Sequence, residues 1–308
     1  MILQRLRHFL LEPSGAEVAL EFSSVAVVAA RVEQKRGRAE LRALVSEPLS
    51  EGVFCPTLEN PGFVDREQMR DAVKRVLSRV GAMPQARTAI VVPDVVARFR
   101  LFAQDEVQAE PSKRDATVAF RMQKLLSFPQ GDARVISAWP RSAAEPVLAI
   151  GFSSAVMRAY EQVGDAFGLD VGSVETSSMA LLKNLKTMGD LLLVRHDPQW
   201  LTLILTRDGW PVSIRSFDVE VAQSENEVRH EIASTAVFWR DRLQGKALGA
   251  AFIHATDPWF ERLSAQVRSV FGGSPERVGC PANLVVSGIP GAIERQAAPA
   301  LALLGGGE

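Results

Sequence analysis

From Glu17 onward, short dense apolar runs alternate with longer stretches whose apolar residues recur at helical spacing. Val18–Phe22, Val25–Val32 and Ala39–Val45 are runs of the first kind and predict three strands, the first two folded about Ser23-Ser24. A helix is predicted next. Asp65 stands at its N-cap, Met69, Val73, Val76, Leu77 and Val80 form its apolar face, and Gly81 lies just past its end. Thr88–Val92 predicts a buried strand closed by Pro93. The same order then returns. Leu191–Val194, Leu201–Thr206 and Val212–Phe217 predict three strands, the last two joined through Arg207-Asp208-Gly209. A helix over Glu225–Leu243, a strand over Ala250–His254 and a helix over Pro258–Phe271 follow. Three strands and then a helix occur twice with little identity between the copies, which predicts a structural duplication rather than a tandem solenoid.

Between the copies the pattern changes. Ser112 with Asp115 three residues on has the form of a capping box, and Val118, Met122, Leu125 and Leu126 give the predicted helix an apolar face up to Phe128-Pro129. Strands over Arg134–Trp139 and Val147–Phe152 and a helix over Ser154–Phe167, ended by Gly168, complete a strand-helix-strand-strand-helix module. Strand Asp170–Glu175 and helix Ser177–Lys186 lead back to the main body, and Ala282–Ser287 and Ala292–Leu304 predict a closing strand and helix. The first thirteen residues, MILQRLRHFLLEP, carry Ile2, Leu3, Leu6, Phe9 and Leu10 at helical spacing beside Arg5, Arg7 and His8. They predict an amphipathic segment, packed on its own body or docking on a partner or membrane surface. The expected organisation is therefore an N-terminal segment (1–14), a first subdomain (15–97 and 169–188), an inserted subdomain (98–168) and a second half (189–308).

Composition narrows the function classes. The chain has 308 residues, 47% hydrophobic and 23% charged, with a formal net charge of −1. That balance singles out neither nucleic acid nor an acidic substrate as partner. No apolar run is long enough to span a bilayer, and nothing has the form of a cleavable signal peptide. Cys55 and Cys280 form no C-x-x-C pair, which fits a reducing cytosol. The P-loop and the G-x-S-x-G elbow are absent, and His230-Glu231 has no second histidine to make a zinc helix. The glycine tail at 305–307 follows no predicted strand.

One constellation remains. In a duplicated core, two hairpins that face each other can clamp the phosphates of a nucleotide, given a carboxylate for metal and water in each and glycines where backbone N–H groups approach. The first hairpin lies at Ser23-Ser24 and the second between Val194 and Leu201, and a glycine-bearing turn stands at Ser287-Gly288-Ile289-Pro290-Gly291.

These elements resemble the actin-like superfamily, and most closely the PilM-like type IV pilus assembly proteins, relatives of the cell-division protein FtsA. The resemblance runs from Glu17 to Leu304. It rests on the order and spacing of ALEFSSVAVVAARVEQKRG, AIVVPDVVARFRLF, AFRMQKLLSFPQGDARVISAW, AYEQVGDAFGLDVGSVETSSMALLKNL and LLLVRHDPQWLTLILTRDGWPVSIRSFDV. The fold it implies is α/β: an actin-like, ribonuclease H-like duplicated core of three strands plus helices, with an FtsA/PilM-type inserted subdomain. Family members typically begin G-I-D-I-G-S-S-S-V-K. Here Glu21 takes the aspartate position, Ser23 the first glycine, Ser24 a serine and Val28 the lysine. In the second hairpin, typically D-I-G-A, Arg195 replaces the carboxylate, Asp197 the glycine, and Pro198 removes an N–H. Gly288 is followed by Ile289 and Pro290 where paired glycines are common.

Glu21, Ser23, Ser24, Asp197 and Gly288 therefore read as vestigial nucleotide positions, and no catalytic residue, resident metal or cofactor is expected. The implied role is a non-catalytic cytosolic scaffold. It would bind the N-terminal tail of an inner-membrane partner, PilN, and join the pilus platform to the cytosolic motor. The tail would lie in a groove beside the Ser112–Phe128 helix. A secretion-system homologue, the GspL cytoplasmic domain, falls within the same reading. The alternative is an ATPase or sugar-kinase-like phosphotransferase holding ATP and Mg²⁺ through Glu21 and Asp197; an actin-like filament former shares the fold. Partner identity and oligomeric state are not readable from the sequence.

Overall fold

The computed structural model describes residues 15–35, 38–107, 110–129, 131–140, 142–185, 188–286 and 291–304. The amphipathic segment at 1–14, Gly288 and the glycine tail lie outside these. The elements begin with β1 (Val18–Phe22), β2 (Ala26–Lys35), β3 (Arg38–Pro48), α1 (Arg66–Val80), β4 (Arg87–Val92) and β5 (Ala97–Phe102). Next come α2 (Arg114–Gln123), β6 (Ala133–Ala138), β7 (Val147–Ser153), α3 (Ser154–Ala166), β8 (Asp170–Thr176) and α4 (Ser177–Leu182). The second copy comprises β9 (Asp190–Asp197), β10 (Trp200–Arg207), β11 (Trp210–Phe217), α5 (Val219–Gln223), α6 (Glu225–Asp241), β12 (Leu248–His254) and α7 (Asp257–Phe271). Short strands β13 (Glu276–Arg277) and β14 (Leu284–Val285) and helices α8 (Gly291–Gln296) and α9 (Ala298–Leu304) complete the chain.

Two compact units result. The first takes the described residues of Met1–Asp94, Met157–Leu185 and Val278–Glu308. Its sheet runs β14-β3-β2-β1-β4-β8. β1, β2 and β3 form an antiparallel meander, and β4 and β8 continue it in parallel. Every residue of β1 is buried, as the unbroken apolar run requires of a strand covered on both faces. One face packs Ala19, Ala30 and Val91 against Ala300, Leu301 and Leu304 of α9. At the end of β1, Phe22 gathers Phe54, Phe63 and Tyr160 into an aromatic cluster with ring centroids 5.2–6.1 Å apart. α1 begins and ends where the sequence predicts: Asp65 accepts from the Gln68 N–H, and Gly81 adopts a left-handed φ of 67°.

The second unit takes Val95–Val156 and Lys186–Arg277. Its larger sheet runs β11-β10-β9-β12-β13, again a three-strand antiparallel meander continued in parallel. The duplication is thus one of topology over five strands, with β14 as an additional strand on the first sheet. Asp208 and Gly209, with φ of 50° and 80°, give the β10–β11 hairpin the twin left-handed residues of a type I′ turn. A lock closes the outer end of this sheet. Asp190 accepts from both Nε and an Nη of Arg207 and, at 2.7 Å, from Trp239 Nε1 on α6. The three-stranded sheet β5-β7-β6 belongs to the same unit; the Trp210 indole N–H at the start of β11 donates to Pro146 O at 2.8 Å.

Several predicted boundaries move, each for a local reason. Ser112 does not cap α2. Pro111 opens a 3₁₀ turn over Pro111–Lys113 that runs straight into the helix, with no side-chain cap at Lys113. Asp115 turns away to accept from Ser137 Oγ and, at 3.0 Å, Trp139 Nε1. α2 also ends at Gln123 rather than Phe128, because Leu125 N–H and Leu126 N–H close on Met122 O and Gln123 O one residue early. Leu125 is therefore exposed while Leu126 stays in the core. The predicted closing helix is two helices, with Pro299 in the first turn of the second.

Candidate functional site

Ser23 is satisfied within the first hairpin. Ser23 Oγ donates to Ala26 O at 2.9 Å and accepts from Ala26 N–H at 3.1 Å, so the hydroxyl is consumed by its own turn. Glu21 pairs in register with Val28 on one side and Val91 on the other, and its side chain is 1% exposed. Alternation along β1 puts it on the face of Ala19, under α9. There Glu21 Oε2 accepts from the Ala300 N–H at 3.1 Å. The reason lies in the sequence of α9. Ala297, at the cap position, has no side-chain acceptor, Pro299 has no N–H, and the third N–H of the helix would otherwise be buried without a partner. A carboxylate at a helix N-terminus also meets the positive end of the helix dipole.

Sequence reasoning missed Asp94, which does the same for α4. It is fully buried, and its two oxygens accept from the Ser178 N–H at 2.9 Å and from Ser178 Oγ. The signal was present: a single acid inside the apolar run VVPDVV, where an ionisable group needs a specific partner. Close by in sequence, Glu175 at the end of β8 takes Lys183 Nζ in a nearly dry ion pair. Burial pushes the Glu175 carboxyl up, with Lys183 opposing.

The second hairpin buries Arg195, His196 and Asp197. Asp197 Oδ1 accepts from the Gln199 N–H at 3.0 Å and so fixes the Pro198-Gln199 turn. The Arg195 guanidinium donates to His196 O at 2.7 Å, stands 4.0 Å from the Asp197 carboxylate and lies 5.8 Å from the Trp200 ring centre. Both charges are almost wholly buried. On the opposite face His196 Nε2 donates to Ala222 O at 2.9 Å, and the ring stacks on Trp259 at 4.0 Å. Burial holds its pKa down to about 4, so it is neutral at pH 7. Among the described residues no three His, Cys, Asp or Glu side chains converge as metal ligands would.

The inserted sheet offers a different kind of surface. α2 packs Val118 and Met122, both fully buried, onto β6 and β7. Phe120 on α2 is 58% exposed, and Leu125, just past its end, is 45% exposed. Lys113, Arg114, Arg121 and Lys124 are exposed along this stretch, with Lys124 over the Phe120 ring at 4.5 Å.

No protein-family model matches the chain, and no curated sequence matches it. Solved structures do. The chain is similar to a protein of the PilM–PilN type IV pilus biogenesis complex at a TM-score of 0.74 and 15% identity, covering 93% of this chain and 97% of that one. It is similar at 0.54 and 8% identity to a Bacteroides thetaiotaomicron protein of actin-like ATPase fold, over 84% and 89% of the two chains. At 0.51 and 10% identity it is similar to the cytoplasmic domain of EpsL, an inner-membrane component of the Vibrio cholerae type II secretion system, over 92% and 94%. Among the described residues no helix is long and apolar enough to cross a membrane. The chain has the actin-like ATPase fold, and the PilM-like form of it over nearly its whole length.

Proposed function

We propose that this protein is a non-catalytic scaffold on the cytoplasmic side of an inner-membrane assembly platform, of a type IV pilus or a related secretion system. It binds the cytosolic tail of a PilN-like membrane partner in the groove beside α2, and through the platform it connects to the motor. Glu21 carries the reading: the one carboxylate of the first hairpin is committed to the backbone of α9. The likeness to a chain from the PilM–PilN complex supports the choice of partner, and the likeness to the EpsL domain supports a membrane platform in general.

Neither ATP nor magnesium is part of this function. Millimolar ATP with Mg²⁺ leaves the melting temperature unchanged, since stabilisation follows RT ln(1 + [L]/Kd) and vanishes when ligand stays far below Kd. A soluble peptide carrying the partner's N-terminal tail binds the wild-type chain in titration calorimetry. Thr117→Glu, at a half-buried position on α2, abolishes binding, and Glu21→Gln leaves it intact. A melting increase of several degrees with ATP, lost in Glu21→Gln, refutes the scaffold reading, as does tail binding that survives Thr117→Glu and fails in Glu21→Gln.

A further inference from the structure

We infer that the amphipathic stretch at 2–10 docks on the first unit, in the groove from which β1 starts. The contact goes beyond the scaffold reading and does not rest on it. A groove of about 370 Å³ opens there between the first residues of β1, the far end of β2 and the turn that leads from α1 into β4. Ala16, Val18, Val32 and Ala86 in its lining are buried, whereas Met83 in the same lining is 65% exposed. The groove thus offers an apolar side chain that lacks cover.

The course of the chain names the occupant. Glu17 is held from both sides: its N–H donates to Arg87 O at 2.7 Å, and its carbonyl accepts from the Val32 N–H at 2.9 Å. Two residues earlier Gly15 takes a left-handed φ of 55° and turns the chain off the line of the strand. A Cβ on Gly15 would stand 3.1 Å from the Arg87 guanidinium, so the turn is also a close approach. Gly15 and Ala16 are themselves part of the lining, so whatever precedes them leaves through this groove.

What precedes them has the matching chemistry. Ile2, Leu3, Leu6, Phe9 and Leu10 fall within roughly 120° of a helical wheel, with Arg5 and Arg7 on its two margins and Gln4 and His8 opposite. A helix this short is marginal in water and requires an apolar surface to hold it. Leu10 stands five residues ahead of Gly15, within about 18 Å even along a fully extended chain. Tethering at that range gives an effective concentration on the order of millimolar, which favours this segment over a separate chain. Charge does not select the occupant, because Glu17 has Arg87 at 3.7 Å and Glu33 has Arg31 at 3.8 Å. Apolar cover decides, and Leu6, Phe9 and Leu10 supply it for Met83.

Limited proteolysis of the full chain reads the contact, because trypsin cleaves after Arg5 and Arg7 when the segment is off the body. Slow cleavage there is expected in the wild type. Met83→Glu sets a charge against the apolar stripe and should speed both cuts roughly tenfold, while Met83→Leu keeps the wild-type rate. Met83 lies outside the core, so unchanged circular dichroism verifies the fold of both variants. Phe9→Ser should speed the cuts as Met83→Glu does, and the two together no more than either alone. Rapid cleavage of the wild type, or a rate indifferent to Met83→Glu, overturns the inference. Protection that fades on dilution overturns it in favour of a second copy, and protection that requires added lipid vesicles overturns it in favour of a membrane surface. Titration with the partner tail tests the scaffold reading separately, whichever way the cleavage falls.

Discussion

Replacing Glu21 tests the assignment of the first hairpin by the sign of a stability change. In a working phosphate hairpin the carboxylate waits, buried and poorly paired, for a metal ion. Removing such a group relieves desolvation and commonly raises stability at the cost of function. Here the carboxylate caps α9, and removing it costs. A hydrogen bond from a buried N–H to a charged acceptor is worth about 1.5–3 kcal/mol. Ala300 is fully buried, so Glu21→Ala leaves its N–H with no acceptor and no route to water. The expected loss is about 2–3 kcal/mol, or roughly 5–10 °C in melting temperature for a domain of this size. Glu21→Gln keeps an acceptor oxygen and loses the charge, so it should cost about 1 kcal/mol. Urea unfolding of wild type, Gln and Ala variants should rank them in that order, with hydrogen exchange at Ala300 faster in the Ala variant. A Glu21→Ala protein as stable as wild type, or more so, would refute the capping argument and return Glu21 to ligand binding.

Asp94→Ala strips α4 of its N-terminal acceptor and should cost about 2–4 kcal/mol, while Asp94→Asn, which keeps one acceptor, loses roughly half of that in the same urea assay. His196 is neutral in the fold with a pKa of about 4 against 6.5 for the unfolded chain. Between those values the unfolded state binds the additional proton, so stability rises with pH through that window and is lost as pH drops from about 6.5 to about 4, by about 3 kcal/mol in all. His196→Gln should flatten this limb of a pH-dependent unfolding series. Gly245 lies so close to Trp239 that a Cβ would overlap the ring. Gly245→Ala should push the indole off Asp190 and cost about 2–3 kcal/mol in thermal unfolding, and an unshifted melt would show that the loop gives way instead.

The sequence by itself determined the repeating architecture. Short apolar runs rich in valine and leucine and bounded by turn residues favour strands, and the turn residues have fixed conformational demands, so β1, β2, β9, β10 and the Asp208-Gly209 hairpin were legible, the strand ends to within about three residues. Cap chemistry was legible where donor and acceptor are near neighbours, as at Asp65 and Gly81. It failed at Ser112, because Asp115 found better partners in Ser137 and Trp139 on the next strand and beyond, which no local window contains. Sequence also marked Glu21, Ser23 and Asp197 as odd occupants of phosphate hairpins. Only the tertiary structure decided what they do. Glu21 reaches across 279 residues to Ala300, Asp94 across 84 to Ser178, and Trp239 across 49 to Asp190. A buried carboxylate must have a partner, but the chain order does not say which one, because that choice is made when two helices settle on one sheet.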